Sequence, residues 1–292
     1  MRIANGWEDY ELLDCSDGER LERWGEILLI RPDPQVIWKT EKRKNPLWRK
    51  AHACYYRSPT GGGRWELQRK LPEDWVIRYG ELRFGVKLMG FKHTGLFPEQ
   101  AVNWEHMASL IRRQRRSAGN PVRVLNLFAY TGGATLSCLA AGASVVHVDA
   151  ARGMVLRARE NASLSALREA PVRWIVEDCI KFVQREIRRG NLYDIIIMDP
   201  PSYGRGPNAE VWKLEQELCG LIELSAKLLH PDALLLLLNS YTTEFSPAVM
   251  RYLLSSVLVP QLGGEASADE IGLPVSATGL VLPCGSTAMW ER

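Results

Sequence analysis

From about residue 100 onward the chain alternates apolar strands with helices, and this alternation constrains the fold more than any other feature. Such near-continuous apolar strands are typical of a parallel sheet with helices on both faces. The pattern predicts a doubly wound, Rossmann-like α/β domain. The predicted strands are Val122–Phe128, Ser144–Val148, Arg173–Val176, Tyr193–Met198 and Ala233–Leu238. The predicted helices are Glu99–Arg116, one from Gly132, Met154–Ser163, Ile180–Arg189, Val211–Leu229 and Ser246–Leu258.

The first 90 residues have a different pattern, in which short segments typical of β-strands are separated by Gly and Pro. The predicted runs are Ile27–Ile30, Gln35–Trp38, Cys54–Arg57, Arg64–Gln68, Trp75–Tyr79 and Arg83–Met89. We therefore expect a small, mostly β domain over residues 1–90 and a larger α/β domain over residues 91–292.

Composition excludes several classes of protein. The longest purely apolar run, Ala233–Leu238, has six residues, whereas a membrane-spanning helix needs about 20. The first residues are acidic and lack the apolar core of a secretory signal. Six scattered cysteines form no C-x-x-C pair, which argues against a zinc site or a disulfide framework. We expect a cytoplasmic protein with no membrane segment and no metal.

In sheets of this kind, ligands bind beyond the carboxyl ends of the strands. After the first strand comes Phe128-Ala129-Tyr130-Thr131-Gly132-Gly133, which opens a helix. Small residues there allow a ligand to approach the backbone, although a tight turn that needs glycine has the same pattern. The loop is not G-x-G-x-x-G and lacks the lysine of a Walker loop, which disfavours dinucleotides and nucleoside triphosphates.

Acidic residues follow the next two strands. Asp149 is suited to accept hydrogen bonds from ribose hydroxyls, or alternatively to cap the following helix. Glu177 and Asp178 can accept from an adenine amino group, or can be a solvated strand end. Together with the glycine loop, these acids point to a ligand that contains adenosine.

Asp199-Pro200-Pro201-Ser202-Tyr203 follows the fourth strand. The two prolines remove backbone donors and stiffen the turn, leaving carbonyls and a carboxylate as acceptors. Such a cluster can hold an exocyclic amine while the nearby aromatic ring stacks on its base.

The segments LNLFAYTGGATL, VVHVDA, VEDC and MDPPSYG, in this order, resemble the class I S-adenosylmethionine-dependent methyltransferases. More narrowly, they are similar to bacterial methyltransferases of large-subunit ribosomal RNA, which modify cytosine C5 or guanine nitrogens. The segment GFKHTGLFPEQ at residues 90–100 resembles that family's K-T-G-x-F-x-x-Q segment, which lies over the cofactor.

The resemblance implies a class I methyltransferase sheet, S-adenosylmethionine as cofactor, and roles for particular residues. The implied cofactor contacts are Thr94, Gly95, Phe97, Gln100, Phe128, Ala129, Tyr130, Thr131, Gly132, Asp149, Ala150, Asp178, Cys179 and Asp199. Asp199, Pro200 and Tyr203 are the catalytic candidates, and Tyr203, Asn239 and Tyr241 are candidates for holding the substrate base.

Two departures from that family bear on the acceptor atom. The RNA-tail domain that usually precedes cytosine-modifying members has no room here. Those members also carry a nucleophilic cysteine after the fifth strand, where this chain has Ser240. Methylation at cytosine C5 needs a nucleophile such as a thiolate, whereas a nitrogen attacks the methyl group directly. The sequence therefore favours a nitrogen acceptor, with Cys179 or Cys284 as substitute nucleophiles in the alternative.

A basic segment suggests the substrate. Residues 31–70 contain eleven Lys or Arg against three Asp or Glu. Lys42, Arg43 and Lys44 lie between Trp38 and Trp48, a mixture typical of an RNA surface, although a solvated charged face has the same composition. RNA is the expected partner. The alternatives are a small-molecule or protein acceptor, a non-catalytic RNA assembly factor and, more distantly, a dehydrogenase.

Overall fold

The chain forms two compact units. A computed structural model describes residues 1–58, 62–118, 121–205, 211–242 and 245–292, without the side chains of residues 43, 115–118 and 205. The C-terminal unit consists of Met1–Arg2, Val102–Ile271 and Cys284–Arg292, and the N-terminal unit of Ile3–Ala101 and Gly272–Pro283. The boundary between independent domains at residues 90 and 91 stays a prediction.

Strands and six α-helices account for most of the described chain. The strands are β1 Arg2–Ile3, β2 Tyr10–Ser16, β3 Glu19–Trp24, β4 Ile27–Pro32, β5 Ala53–Arg57, β6 Gly63–Leu67, β7 Trp75–Tyr79, β8 Leu82–Val86, β9 Arg123–Leu127, β10 Ser144–Asp149, β11 Val172–Val176, β12 Ile195–Met198, β13 Tyr203–Arg205, β14 Val211–Lys213, β15 Leu235–Ser240, β16 Glu265–Pro274 and β17 Val281–Glu291. The helices are α1 Ala101–Ala118, α2 Gly133–Ala140, α3 Arg152–Leu164, α4 Cys179–Arg188, α5 Leu214–Ala226 and α6 Pro247–Leu262. Short 3-10 helices cover Lys42–Lys44, Pro46–Lys50, Gly90–Lys92 and Pro98–Gln100.

The C-terminal unit is built on the predicted parallel sheet. Its strand order is β1-β16-β17-β15-β12-β9-β10-β11, and β15, β12, β9, β10 and β11 pair in parallel. The chain moves outward in one direction from β9 to β11 and in the other from β12 to β15. The gap between β9 and β12 is therefore the topological switch point, where ligands bind in sheets of this type.

Apolar burial on both faces explains why the central strands form. Ile195–Met198 and Leu235–Leu238 are at most 2% exposed, as expected for a sheet that helices cover on both sides. One predicted helix is wrong at its start, because Val211–Lys213 is not helical and pairs as β14 with β13. Leu214 therefore begins α5.

The N-terminal unit is strand-rich, as predicted, and contains a five-stranded sheet of order β2-β3-β4-β5-β6 and a β7-β8 hairpin. The sequence analysis missed β2 and β3, although Asp17 and Gly18 are a typical two-residue hairpin turn, with φ values of 53° and 77°. The predicted strand Gln35–Trp38 is wrong. Two prolines precede it, and its carbonyls instead accept hydrogen bonds from the Asp17-Gly18 turn.

A buried ion pair crosslinks the N-terminal sheet. Glu22 is fully buried and accepts from Arg31 Nε and Nη2 at 2.5 and 2.7 Å and from the Tyr10 hydroxyl at 2.8 Å. Burial opposes ionisation, but the guanidinium groups of Arg31 and Arg20 outweigh it and lower the pKa of Glu22 to about 2. Arg31 Nη1 also donates to the Lys92 carbonyl at 3.1 Å, which fixes the segment that continues to Gln100.

Within the described residues, no helix has both the length and the apolar character needed to cross a membrane.

Replacing Arg31 by Met should destabilise the protein by about 3 kcal/mol, because it removes the two short hydrogen bonds to the buried Glu22 carboxylate and leaves only Arg20, at 3.5 Å, as its cation. Arg23→Met, which breaks the solvent-accessible pair with Glu11, should cost less than about 1 kcal/mol. Urea denaturation at pH 7 measures both. Because the pKa of Glu22 is depressed on folding, the wild-type pair stabilises above about pH 4.5 and loses that contribution as the pH falls toward 2. Equal losses in the two variants at pH 7 would contradict a structural role for the buried pair.

Candidate functional site

The predicted ligand-binding residues of the C-terminal unit lie along one edge of its sheet. The loop Phe128–Gly132 follows β9, Asp149 ends β10, Asp178 follows β11 and Asp199 follows β12. These four strands are neighbours in the order β11-β10-β9-β12, and parallel pairing puts their carboxyl ends side by side. The sheet thus gathers positions that are separated by some 70 residues of sequence.

Asp149 connects two of these strand ends. Its Oδ2 accepts from the backbone N–H of Tyr130 and its Oδ1 from that of Ala151, both at 2.8 Å. Burial raises the pKa of Asp149, while the two backbone hydrogen bonds oppose that rise. Each carboxylate oxygen has a further lone pair, so the side chain can hold the loop and still accept from the hydroxyls of a ligand.

The loop after β9 has a strained backbone. Phe128 and Tyr130 have φ values of 55° and 50°, in a region that costs non-glycine residues about 1–3 kcal/mol and is often found at functional sites. The Phe128 N–H donates to Cys179 Sγ at 3.3 Å, and the Tyr130 N–H donates to Asp149. Two polar partners from neighbouring strand ends therefore fix the strained residues.

Internal packing explains the glycine pair. Gly132 has a φ of 89°, and a Cβ on Gly133 would lie 2.5 Å from the Trp104 ring. The tight-turn interpretation of these glycines is thus sufficient for both positions.

Asp178 and Cys179 contribute to the neighbouring strand end. Asp178 caps α4, with its Oδ1 accepting from the Lys181 N–H at 3.0 Å, and its other oxygen is available to a ligand. Cys179 is 2% exposed, and burial raises the pKa of its thiol far above the ordinary value. Cys179 is therefore unsuited to act as a thiolate nucleophile.

A hairpin that the sequence analysis missed braces the loop Asp199–Tyr203. The Trp212 indole N–H donates to the Pro201 carbonyl at 2.6 Å, and the N–H of Leu214 donates to the Ser202 carbonyl at 3.1 Å. The Trp212 ring lies 5.6 Å from that of Phe128. Trp212 thus links the loop after β12 to the strained loop after β9. In the sequence, the only indication of this contact is that Trp212 is an aromatic residue within a segment predicted to be helical.

Asp199 is partly buried and Pro200 is buried, while Tyr203 remains 52% exposed. The Ser202 hydroxyl lies 2.5 Å from that of Thr242, which joins this loop to the end of β15. An exposed ring is suited to stack on a flat substrate, and a partly buried carboxylate in the same loop is suited to accept N–H groups from one.

The residues at the end of β15 differ in accessibility. Asn239 is 3% exposed, and its Oδ1 accepts from Asn103 Nδ2 at 3.0 Å and Thr287 Oγ1 at 2.6 Å. These internal hydrogen bonds favour a supporting role for Asn239 over direct substrate contact. Tyr241 is half-buried. Ser240 is 2% exposed, and its hydroxyl accepts from the Thr242 N–H at 3.1 Å.

The segment Lys92–Gln100 belongs to the N-terminal unit. Its Gly95 has a φ of 94°, Phe97 is half-buried and Gln100 is 7% exposed. Thr94 is 1% exposed, and its hydroxyl oxygen has no hydrogen-bond partner among the described residues; the same holds for Glu99 Oε2. Since nearly all buried polar groups have partners, these two atoms retain unused hydrogen-bonding capacity. This fits the expected cofactor role of the segment.

The predicted RNA-contacting lysines have acidic partners. Lys42 pairs with Glu19 at 2.7 Å and lies 4.5 Å over the Trp48 ring. Lys44 pairs with Glu41, and the side chain of Arg43 lies outside the described part of the chain. Across the described ranges, no three His, Cys, Asp or Glu side chains are grouped so that they could hold a metal ion.

Comparison with known proteins agrees with this geometry. The sequence model of a family described as S-adenosylmethionine-dependent methyltransferase matches residues 49–248, more than half of the chain. The chain belongs to that family. Its cofactor is S-adenosylmethionine, as predicted, and the half-buried carboxylate of Asp149 suits a polar cofactor.

Solved structures confirm the fold of the methyltransferase. A crystal structure of an S-adenosylmethionine-dependent methyltransferase from Agrobacterium tumefaciens is 36% identical and has a TM-score of 0.91, covering 99% of this chain and 92% of that chain. A putative methyltransferase from Streptococcus mutans, 17% identical, has the same fold with a TM-score of 0.74 over 99% of this chain and 76% of that chain.

Curated relatives support the narrower resemblance. A protein named ribosomal RNA large subunit methyltransferase K/L from Chromohalobacter salexigens is 29% identical over 76% of this chain and 27% of that protein. The protein of the same name from Desulfotalea psychrophila is 28% identical over 81% of this chain and 28% of that protein. The methyltransferase spans just over a quarter of the length of these relatives.

Asp149→Asn should weaken S-adenosylmethionine binding at least tenfold, because an amide cannot accept both backbone N–H groups and still accept from a ribose. Asp194→Asn is the matched control, since Asp194 accepts from the Arg123 N–H at 2.8 Å at the opposite edge of the same sheet. Calorimetric titration measures both affinities. Equal affinities in the two variants would remove Asp149 from the cofactor site.

Trp212→Phe should lower kcat about fivefold to tenfold while the S-adenosylmethionine Kd stays within twofold. Phe keeps a ring against Phe128 but loses the donor to Pro201, a hydrogen bond of about 1 kcal/mol. Trp212→Ala should also weaken cofactor binding, because it removes the support of the strained loop. A wild-type kcat in Trp212→Phe would show that the indole N–H does not position the acceptor loop.

Proposed function

We propose that the methyltransferase transfers the methyl group of S-adenosylmethionine to a nitrogen of an RNA base, with ribosomal RNA of the large subunit as the expected substrate. The observation that carries this proposal is the combination of the Asp199–Tyr203 loop with a buried serine at position 240. The relatives from Chromohalobacter salexigens and Desulfotalea psychrophila are both named as ribosomal RNA methyltransferases. A ribosomal substrate would also put the reaction in the cytoplasm.

The bound cofactor supplies an electrophilic methyl group on a sulfonium. A base nitrogen held in line would take that methyl group with its lone pair, and sulfur would keep the electrons of the carbon–sulfur bond. Asp199 is suited to accept an N–H of the base, which holds the attacking nitrogen in line, and then to take up or pass on the proton that the methylated nitrogen releases. Most of the rate enhancement then comes from positioning.

Tyr203 and Tyr241 are the proposed contacts for the base. A base within structured RNA must leave its stack to reach such a site, and an aromatic ring that is half exposed, as Tyr203 is, offers a replacement stacking surface. Stacking of this kind contributes about 1–3 kcal/mol per base.

Ser240 supports nitrogen rather than cytosine C5. Its hydroxyl is buried and accepts from the Thr242 backbone, so it lacks the ionised character that attack at C6 of cytosine requires. The deeply buried thiol of Cys179 does not replace it. A nitrogen acceptor requires no covalent adduct.

The proposal predicts an N-methylated nucleoside when purified enzyme, labelled S-adenosylmethionine and RNA from cells lacking the gene are incubated together. Digestion and mass spectrometry identify the nucleoside. Asp199→Ala should reduce label at least 100-fold even at saturating S-adenosylmethionine, and Asp194→Asn should label normally. A product of 5-methylcytidine would overturn the nitrogen assignment. Label in protein or small molecules, with none in RNA, would overturn the RNA substrate.

A further inference from the structure

The free positive charge of the N-terminal unit concentrates on one hairpin and its flanks. The segment 49–70 contains six cations and a single acid, Glu66. The six cations are Arg49, Lys50, Arg57, Arg64, Arg69 and Lys70, and all are exposed. Among the described residues, none of the six forms an ion pair with a carboxylate. The described residues of this segment, 49–58 and 62–70, are called the edge hairpin below.

The lysines that precede the edge hairpin are neutralised. Lys39 lies 3.5 Å from Asp17, Lys42 lies 2.7 Å from Glu19, and Lys44 pairs with Glu41. A phosphate that approaches any of these lysines also meets the negative charge of the neighbouring carboxylate, which opposes its binding. The edge hairpin presents its charges with no such competitor.

The hairpin places two of the cations on paired strands, Arg57 on β5 and Arg64 on β6, and Arg69 and Lys70 follow β6 along the chain. β6 is at the edge of the five-stranded sheet and pairs only with β5, with Tyr56 opposite Arg64 and Arg57 opposite Gly63. At the other end, the N–H groups of Gln68 and Arg69 both donate to the His52 carbonyl. Five strand residues span roughly 17 Å, about the rise of five nucleotides.

Gly63 makes this close pairing possible. A Cβ at that position would lie 2.3 Å from the Tyr56 carbonyl oxygen, so only glycine lets the two strands approach here. Burial lowers the pKa of His52, and the positive charge of Arg69 lowers it further.

An aromatic ring and an apolar side chain lie among the charges. Tyr56 is 47% exposed and Leu67 is 58% exposed. Cations that pair with phosphates, together with an exposed ring that stacks on a base, are the elements of a surface for single-stranded or loop RNA.

We propose that the edge hairpin is the main RNA-docking surface of the N-terminal unit, contacting the phosphate backbone through its unpaired cations and a base through Tyr56. This inference rests on the proposed RNA substrate and moves the contact from Lys42–Lys44 to residues 49–70. Charges on an edge strand also prevent two sheets from pairing edge to edge. If this were their only role, removing the charges would cause aggregation and would leave the affinity for RNA unchanged.

Three triple variants of the full chain test the proposal. Arg64→Ala/Arg69→Ala/Lys70→Ala removes three charges from the edge hairpin, and Lys39→Ala/Lys42→Ala/Lys44→Ala removes the three paired lysines. Arg159→Ala/Arg168→Ala/Arg188→Ala is the matched control on the exposed surface of the C-terminal unit. Affinity for a labelled 20-nucleotide single-stranded RNA is measured from 50 to 300 mM salt, with thermal unfolding and S-adenosylmethionine affinity as checks of folding.

In the edge-hairpin variant, the slope of log affinity against log salt concentration should become shallower by about 2, since each of the three lost contacts to a single-strand phosphate contributes about 0.7. This corresponds to about 100-fold weaker binding at 0.1 M salt. The paired-lysine variant should lose less than tenfold, the control less than twofold, and Arg64→Lys/Arg69→Lys should bind like wild type. Tyr56→Ala should weaken binding about tenfold with an unchanged slope, and Tyr56→Phe should not.

Other outcomes overturn the inference in distinguishable ways. An edge-hairpin variant that binds RNA like wild type, or a paired-lysine variant that loses as much or more, refutes this surface while leaving the RNA substrate intact. If the wild-type enzyme neither binds nor methylates RNA, the proposed function fails and the docking surface fails with it.

Discussion

The carboxylate of Asp149 is the contact on which the candidate site depends. It ends β10 and accepts the backbone N–H groups of Tyr130 and Ala151, so one side chain joins the ends of two neighbouring strands. Tyr130 and Phe128 would otherwise relax from their positive φ values, which are costly for residues with side chains. The strained residues and the hydrogen bonds that hold them lie at the switch point of the sheet. Trp212 contacts both this loop and the loop that begins at Asp199.

A second carboxylate has a comparable structural role in the N-terminal unit. Glu22 is buried beneath Arg31, and Arg31 in turn holds the carbonyl of Lys92. The segment that follows contains the unpartnered hydroxyl of Thr94. In both units, then, an acidic side chain fixes the backbone beside a polar group suited to a ligand. The charge of Glu22 is stable because its pKa is depressed, whereas burial raises the pKa of Asp149.

The sequence predicted the parallel sheet because its strands are apolar over their whole length, as in Ile195–Met198 and Leu235–Leu238. It also located Asp149, Asp178 and Asp199, since each directly follows such a strand. What it missed depends on non-local pairing. β14 becomes a strand only because β13 pairs with it, and the same residues had helical spacing. The position of Trp212 depends on the Pro201 carbonyl and the Phe128 ring, and Lys42 is paired because Glu19 of β3 lies 2.7 Å from it.

If the carboxyl ends of β9, β10, β11 and β12 bind the cofactor, then S-adenosylhomocysteine should protect their backbone amides from hydrogen–deuterium exchange. We expect slower exchange with the ligand than without it in peptides covering residues 128–132, 149–151, 177–179 and 199–203, and unchanged exchange over α6. Unchanged exchange in those four peptides, with protection instead around Arg251 and Tyr252, which line an open groove on α6, would contradict it.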